Sequence, residues 1–118
     1  MINQLEIPMY IEEALPEMPH ELLASKRNTA YDLLGSLTSF TCKNINDHNY
    51  KTVKRAFQIA DKLYSKGNGV VKNAVENVFV YSFTRMFNTY PNEKKELLSI
   101  LPITLYSIYM AQVCHKGC

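Results

Sequence analysis

The sequence predicts an all-α fold, a compact antiparallel bundle of five to six helices, on three observations. Apolar residues recur at three- and four-residue steps along most of the chain, and no segment alternates with period two for long enough to make a buried strand. Asp, Asn, Ser or Thr caps mark where the periodic stretches begin. With 118 residues, 47% of them hydrophobic and 20% charged, the chain fits a single domain over residues 1–118. Gly is 4, Pro is 5 and Cys is 3, which excludes collagen, a disordered tail and a disulfide-stapled miniprotein.

The N-terminal segment, residues 1–24, holds Pro8, Pro16 and Pro19, so only a short helix near Met9 to Leu15 is expected there, followed by a turn. It is also acidic. Glu6, Glu12, Glu13, Glu17 and Glu21 fall within the first 22 residues without a single Lys or Arg, and all 13 basic residues lie beyond them. An acidic head therefore precedes a basic body, although the net charge is only +2.

Four further helices are expected over roughly 25–44, 48–66, 69–88 and 92–115, the last interrupted at Pro102. The first of these carries Ala30, Leu33, Leu34, Leu37 and Phe40 in one apolar stripe, which Gly35 either weakens or opens to a close helix contact. The next is the most amphipathic: Val53, Ala56, Phe57, Ala60, Leu63 and Tyr64 fall on one side, and Lys51, Arg55, Lys62 and Lys66 on the other. Lys66-Gly67-Asn68-Gly69 ends it, with glycine available for a left-handed cap. Over 69–88, Val71, Ala74, Val75, Val78, Phe79 and Met86 form a wide face, while Val80, Phe83 and Phe87 spill to the other side. That pattern predicts a central helix touched all round. Phe57, Leu63, Val75 and Phe79 are the expected core. From Leu97 to Cys114 no residue is charged, but Pro102, scattered polar residues and the mid-segment Tyr106 and Tyr109 favour two short helices closing the core over a membrane span.

The run KGNGVVKNAVENVF from Lys66 to Phe79 resembles the turn and second helix of a HEAT-type helical repeat, with Val71, Lys72, Ala74 and Val75 in the matching places. Over residues 5–90 the chain is similar to an uncharacterised family of small bacterial all-helical domains, matched by Gly67, Val71, Asn73 and Ala74. The resemblance implies a HEAT-like central helical hairpin and attaches no activity to it.

Candidate chemistry is sparse. Cys114, His115 and Cys118 are ordinary zinc ligand types within five residues, but structural zinc takes four ligands, and His20 and His48 lie far off in sequence, so no metal is expected. No P-loop, GxGxxG, HExxH or GxSxG occurs, so neither a cofactor nor an enzymatic activity is expected. Arg85 falls on the helical wheel within the face of Ala74, Val78 and Tyr81, where it either pairs with a glutamate of the acidic head or faces a ligand. The stripe of Lys51, Arg55, Lys62 and Lys66, with Lys54 beside it, suits a phosphate backbone or a solvated face.

These features point to a small non-enzymatic protein-interaction or regulatory module. Its binding surface is expected where Ile59 lies between the basic stripe and the apolar face, with Tyr106 and Tyr109 as a second contribution and an acidic partner implied. The alternatives are a nucleic-acid-associated protein using the same stripe and an enzyme without a recognisable motif. The C-terminal apolar segment is also a candidate for self-association. The first six residues offer no basic start and apolar run for export, and an odd cysteine count fits reduced thiols, so a cytoplasmic location and no membrane are expected.

Overall fold

The computed structural model describes residues 1–18 and 29–117, with side chains through Val113. Helix α1 (Ile7–Ala14) follows a 3-10 turn over Gln4–Glu6. The Asn3 side chain accepts from the Leu5 N–H, and the Glu6 carboxylate accepts from the Asn3 N–H, which closes a capping box. Pro8 falls in the first turn of α1, where it removes no intrahelical hydrogen bond, so the helix starts before Met9. Helix α2 (Ala30–Asn46) is capped by Thr29, whose hydroxyl accepts from the Asp32 N–H. Residues 25–28, where the sequence placed the start of this helix, lie outside the described residues. The Gln4 side chain accepts from the Ala30 N–H and ties the N-terminal turn to α2. A Cβ on Gly35 would meet nothing within 4 Å, so this glycine does not serve a close helix contact.

Helix α3 (Tyr50–Lys66) buries Val53, Ala56, Phe57, Ala60 and Leu63 completely, as its periodicity requires. Its end differs from expectation. Gly67 is extended (φ −75°, ψ 157°), not left-handed, and a side chain there would collide with the Leu63 carbonyl and Val71. The chain needs glycine at this point because the end of α3 and the following turn close on it, and the N-terminal segment bonds to the backbone on either side. The Ile2 N–H donates to the Lys66 carbonyl and the Asn68 N–H donates to the Ile2 carbonyl, both at 2.8 Å, making a parallel bridge of Ile2 with Gly67. The left-handed residue is His48 (φ 59°), in the turn between α2 and α3.

Residues 69–89 run as α4 (Gly69–Ala74), a π-turn (Val75–Phe79), a 3-10 turn (Val80–Ser82) and α5 (Phe83–Thr89). This break explains why the helical wheel scattered the apolar residues. Val71, Val75, Phe79, Phe83 and Phe87 recur every fourth residue, a spacing that drifts by about 160° around a straight α-helix over four steps. All five are nevertheless buried, since the wider π-turn takes up part of that drift. Phe57, Phe79, Phe83, Phe87 and Tyr109 then form one aromatic cluster with centroid separations from 5.3 to 6.0 Å, mostly edge-to-face.

Pro102 separates α6 (Lys94–Ile100) from α7 (Ile103–Gly117). These two helices close the core through Leu97, Leu105 and Tyr109. The fold is all-α, with no strand among the described residues. No helix among them is long and apolar enough to cross a membrane.

Candidate interaction groove

Helix α1 lies against α3 and buries Ile7, Ile11 and Leu15 in the core. Through residue 18 the acidic head is thus a structural layer, with Glu12, Glu13 and Glu17 exposed. Two of its side chains meet the basic stripe. Glu17 binds the Arg55 guanidinium at 2.8 Å, each side chain being a little over a third exposed. The Lys62 ammonium sits 4.8 Å above the Tyr10 ring. Between α1 and α3 runs a groove of about 470 Å³ lined by Tyr10, Glu13, Ala14, Arg55, Gln58, Ile59 and Lys62. Ile59 is 5% exposed, so the apolar group expected at the edge of the stripe is the covered floor of this groove. Arg55 Nε is buried there without a hydrogen-bond partner, which leaves one donor unmet. Lys51, Lys54 and Lys66 stand exposed along the same helix.

The geometry therefore joins Arg55, Ile59 and Lys62 in one concave site. Tyr10 and Glu13 were absent from the sequence-based set. The 100° wheel relates residues within one helix and carries no information about which helix packs beside it. The Glu-rich composition of the head was the available signal.

Arg85 is elsewhere. Among the described residues the acidic head pairs with Arg55 and not with Arg85. Arg85 is exposed, whereas Ala74 of the same expected face is fully buried. It lines a second cavity of about 610 Å³ between the 81–89 stretch and α7, together with Tyr81, Thr84, Asn88, Thr89, Tyr109, Gln112 and Val113. Its charge also reaches Cys42 on α2. Burial raises that thiol pKa, and the Arg85 guanidinium opposes the rise. Tyr109, expected on a binding surface, is 9% exposed, with its ring against Phe83 and Phe87. Tyr106, three residues earlier, is exposed.

The side chains of Cys114, His115 and Cys118 lie outside the described residues, as does His20. Among the described residues no group of three or more His, Cys, Asp and Glu side chains is placed to hold a metal ion. His48 binds Glu93 through Nδ1 at 2.9 Å and joins the α2–α3 turn to the approach to α6, a pairing that no sequence spacing signalled.

No curated protein and no solved structure matches the chain significantly. One family does, described as a domain of unknown function (DUF7674), and its match spans residues 8–115, nearly all of the helical body described above. The chain belongs to this DUF7674 family.

Proposed function

We propose that the protein is a small non-enzymatic interaction module that receives an acidic protein segment in the groove between α1 and α3. The observation that carries this reading is the groove itself, where the Ile59 floor is flanked by Arg55 and Lys62 and the Arg55 Nε donor lacks a partner. An apolar anchor from the partner would fill the groove, and a carboxylate beside it would satisfy the free donor. Lys51, Lys54 and Lys66 extend the positive field along α3 and steer an acidic partner towards it. Glu17 already occupies one side of Arg55, so the partner exchanges with an internal carboxylate. The setting we propose is a bacterial cytoplasm, consistent with the odd cysteine count, and the α3–α4 hairpin is the part read as HEAT-like.

The experiment is a titration of the chain with a fluorescein-labelled Glu-rich peptide carrying one Leu or Phe anchor, followed by anisotropy. Binding that weakens at least tenfold in Lys62→Glu with Arg55→Gln supports the groove. A duplex DNA of equal charge is the second arm. Tighter retention of the duplex, with a steep salt dependence, would transfer the stripe to a nucleic-acid function.

Self-association is a second reading with its own observation. Ile103, Tyr106 and Met110 are exposed at helix-face spacing on α7, Ile103 by 80%, and no charged residue lies on that stretch. Sedimentation of the chain and of Ile103→Lys tests it: a dimer that the substitution dissociates is expected, and a monomer at high concentration would contradict it.

A further inference from the structure

We infer that the cavity between the 81–89 stretch and α7 is a binding site for a monoanionic carboxylate carried on an aromatic or aliphatic body. Its approximate volume, 610 Å³, lies within the range of small-molecule sites, and it is set apart from the groove between α1 and α3. Among the described residues Arg85 is the single charged one of its lining. The guanidinium makes no ion pair among the described residues.

The chemistry of the walls selects the ligand. A guanidinium offers two parallel N–H donors that match the two oxygens of a carboxylate. One positive charge neutralises one negative charge, so a phosphate monoester dianion would leave charge uncompensated in a site whose remaining walls are neutral. Tyr109 and Val113 supply apolar surface for the body of the ligand, and the Tyr81 ring stands at the opposite wall. Thr84 and Asn88 add neutral polar groups next to Arg85. Two of the other polar groups are already engaged: the Thr89 hydroxyl donates to the Arg85 carbonyl, and the Gln112 amide donates to the Glu76 carbonyl. Those two bonds fix the backbone of the arginine and the approach of α7, which holds the cavity open between two anchored helices.

The probe is 3-phenylpropionate, titrated into the ¹⁵N-labelled full chain, with amide shifts followed. Shifts confined to 81–89 and 109–113 are expected, and they should require at least tenfold more ligand in Arg85→Gln. Arg85→Lys keeps the charge without the fork and should fall between. Unchanged circular dichroism shows that these variants fold. The neutral amide 3-phenylpropionamide should bind at least tenfold more weakly than the acid. A short peptide ending in a free Phe carboxylate forms a further arm: binding of the acid alone marks a free small molecule, and binding of both marks a chain end as a source of the same group. Equal binding of acid and amide, preference for phenethyl phosphate, Arg85→Gln without effect, or shifts centred on α1 and α3 would each overturn the assignment.

Discussion

Glu17 reaches Arg55 at 2.8 Å and so fastens the acidic head to one of the two basic side chains of α3 that line the groove. The two charges are both partly solvated, and a pair of this kind contributes about 0–1 kcal/mol. Glu17→Gln is therefore expected to shift the unfolding midpoint only slightly while strengthening capture of an acidic peptide by up to about fivefold, because the internal competitor is gone. Weaker capture by Glu17→Gln would mean that Glu17 builds the site instead of competing for it. Removing the whole head is not an equivalent test, since Ile2, Ile7, Ile11 and Leu15 would leave the core with it.

Phe79 belongs to the aromatic cluster, edge-on to Phe57 at 6.0 Å and to Phe83 at 5.4 Å. Truncation to Ala removes a fully buried ring from the π-turn, where the backbone cannot easily collapse onto the space. A loss of about 3–5 kcal/mol in urea-induced unfolding is expected. A loss below about 1 kcal/mol would show that the π-turn does not face the core.

Much of this fold was legible in the sequence because each helix carries its own stripe. Of the apolar face expected on α3, Val53, Ala56, Phe57, Ala60 and Leu63 are fully buried and Tyr64 is half-buried, and the expected core residues Phe57, Leu63, Val75 and Phe79 are all fully buried. What escaped was everything that depends on a change of period or on a contact between distant segments. Arg85 was placed on one face with Ala74, Val78 and Tyr81, and that face runs from full burial at Ala74 to exposure at Tyr81 and Arg85. Ile59 and Tyr109 were treated as surface groups because nothing in α3 or α7 reveals that α1 or the Phe83–Phe87 pair will cover them. The candidate groove was half visible for the same reason: Arg55, Ile59 and Lys62 share one helix, whereas Tyr10 and Glu13 arrive from another.

Gly67 combines a local steric constraint with a long-range one. A methyl group there meets the Leu63 carbonyl and Val71 while the N-terminal residue Ile2 bonds on either side of it. Gly67→Ala should cost about 1–3 kcal/mol by overpacking, although the extended backbone there suits Ala and the substitution would by itself lower the entropy of the unfolded chain. Faster amide exchange at Ile2 and Asn68 should accompany the loss. A neutral or stabilising effect would contradict the close approach.

The Arg85 charge opposes the effect of burial on Cys42, so its removal should push that thiol further above its ordinary value. At a fixed mildly alkaline pH the thiolate fraction then falls, and alkylation of Cys42 by iodoacetamide should slow in Arg85→Gln. The comparison is made with Cys114 and Cys118 both replaced by Ser, so that one thiol reports. An unchanged or faster rate would place the guanidinium too far from Cys42 to act on it.

The central claim is that the surface between α1 and α3 receives the partner, and backbone-amide mapping of a bound acidic peptide tests it most directly. With the ¹⁵N-labelled full chain and a Glu-rich peptide bearing one apolar anchor, shifts are expected at residues 10–14 and 55–62, the two sides of the groove, with smaller ones along Lys51, Lys54 and Lys66. They should shrink in Lys62→Glu, which leaves the buried face of α3 intact. Shifts concentrated on α7 or around Arg85, with residues 10–14 and 55–62 undisturbed, would contradict the account.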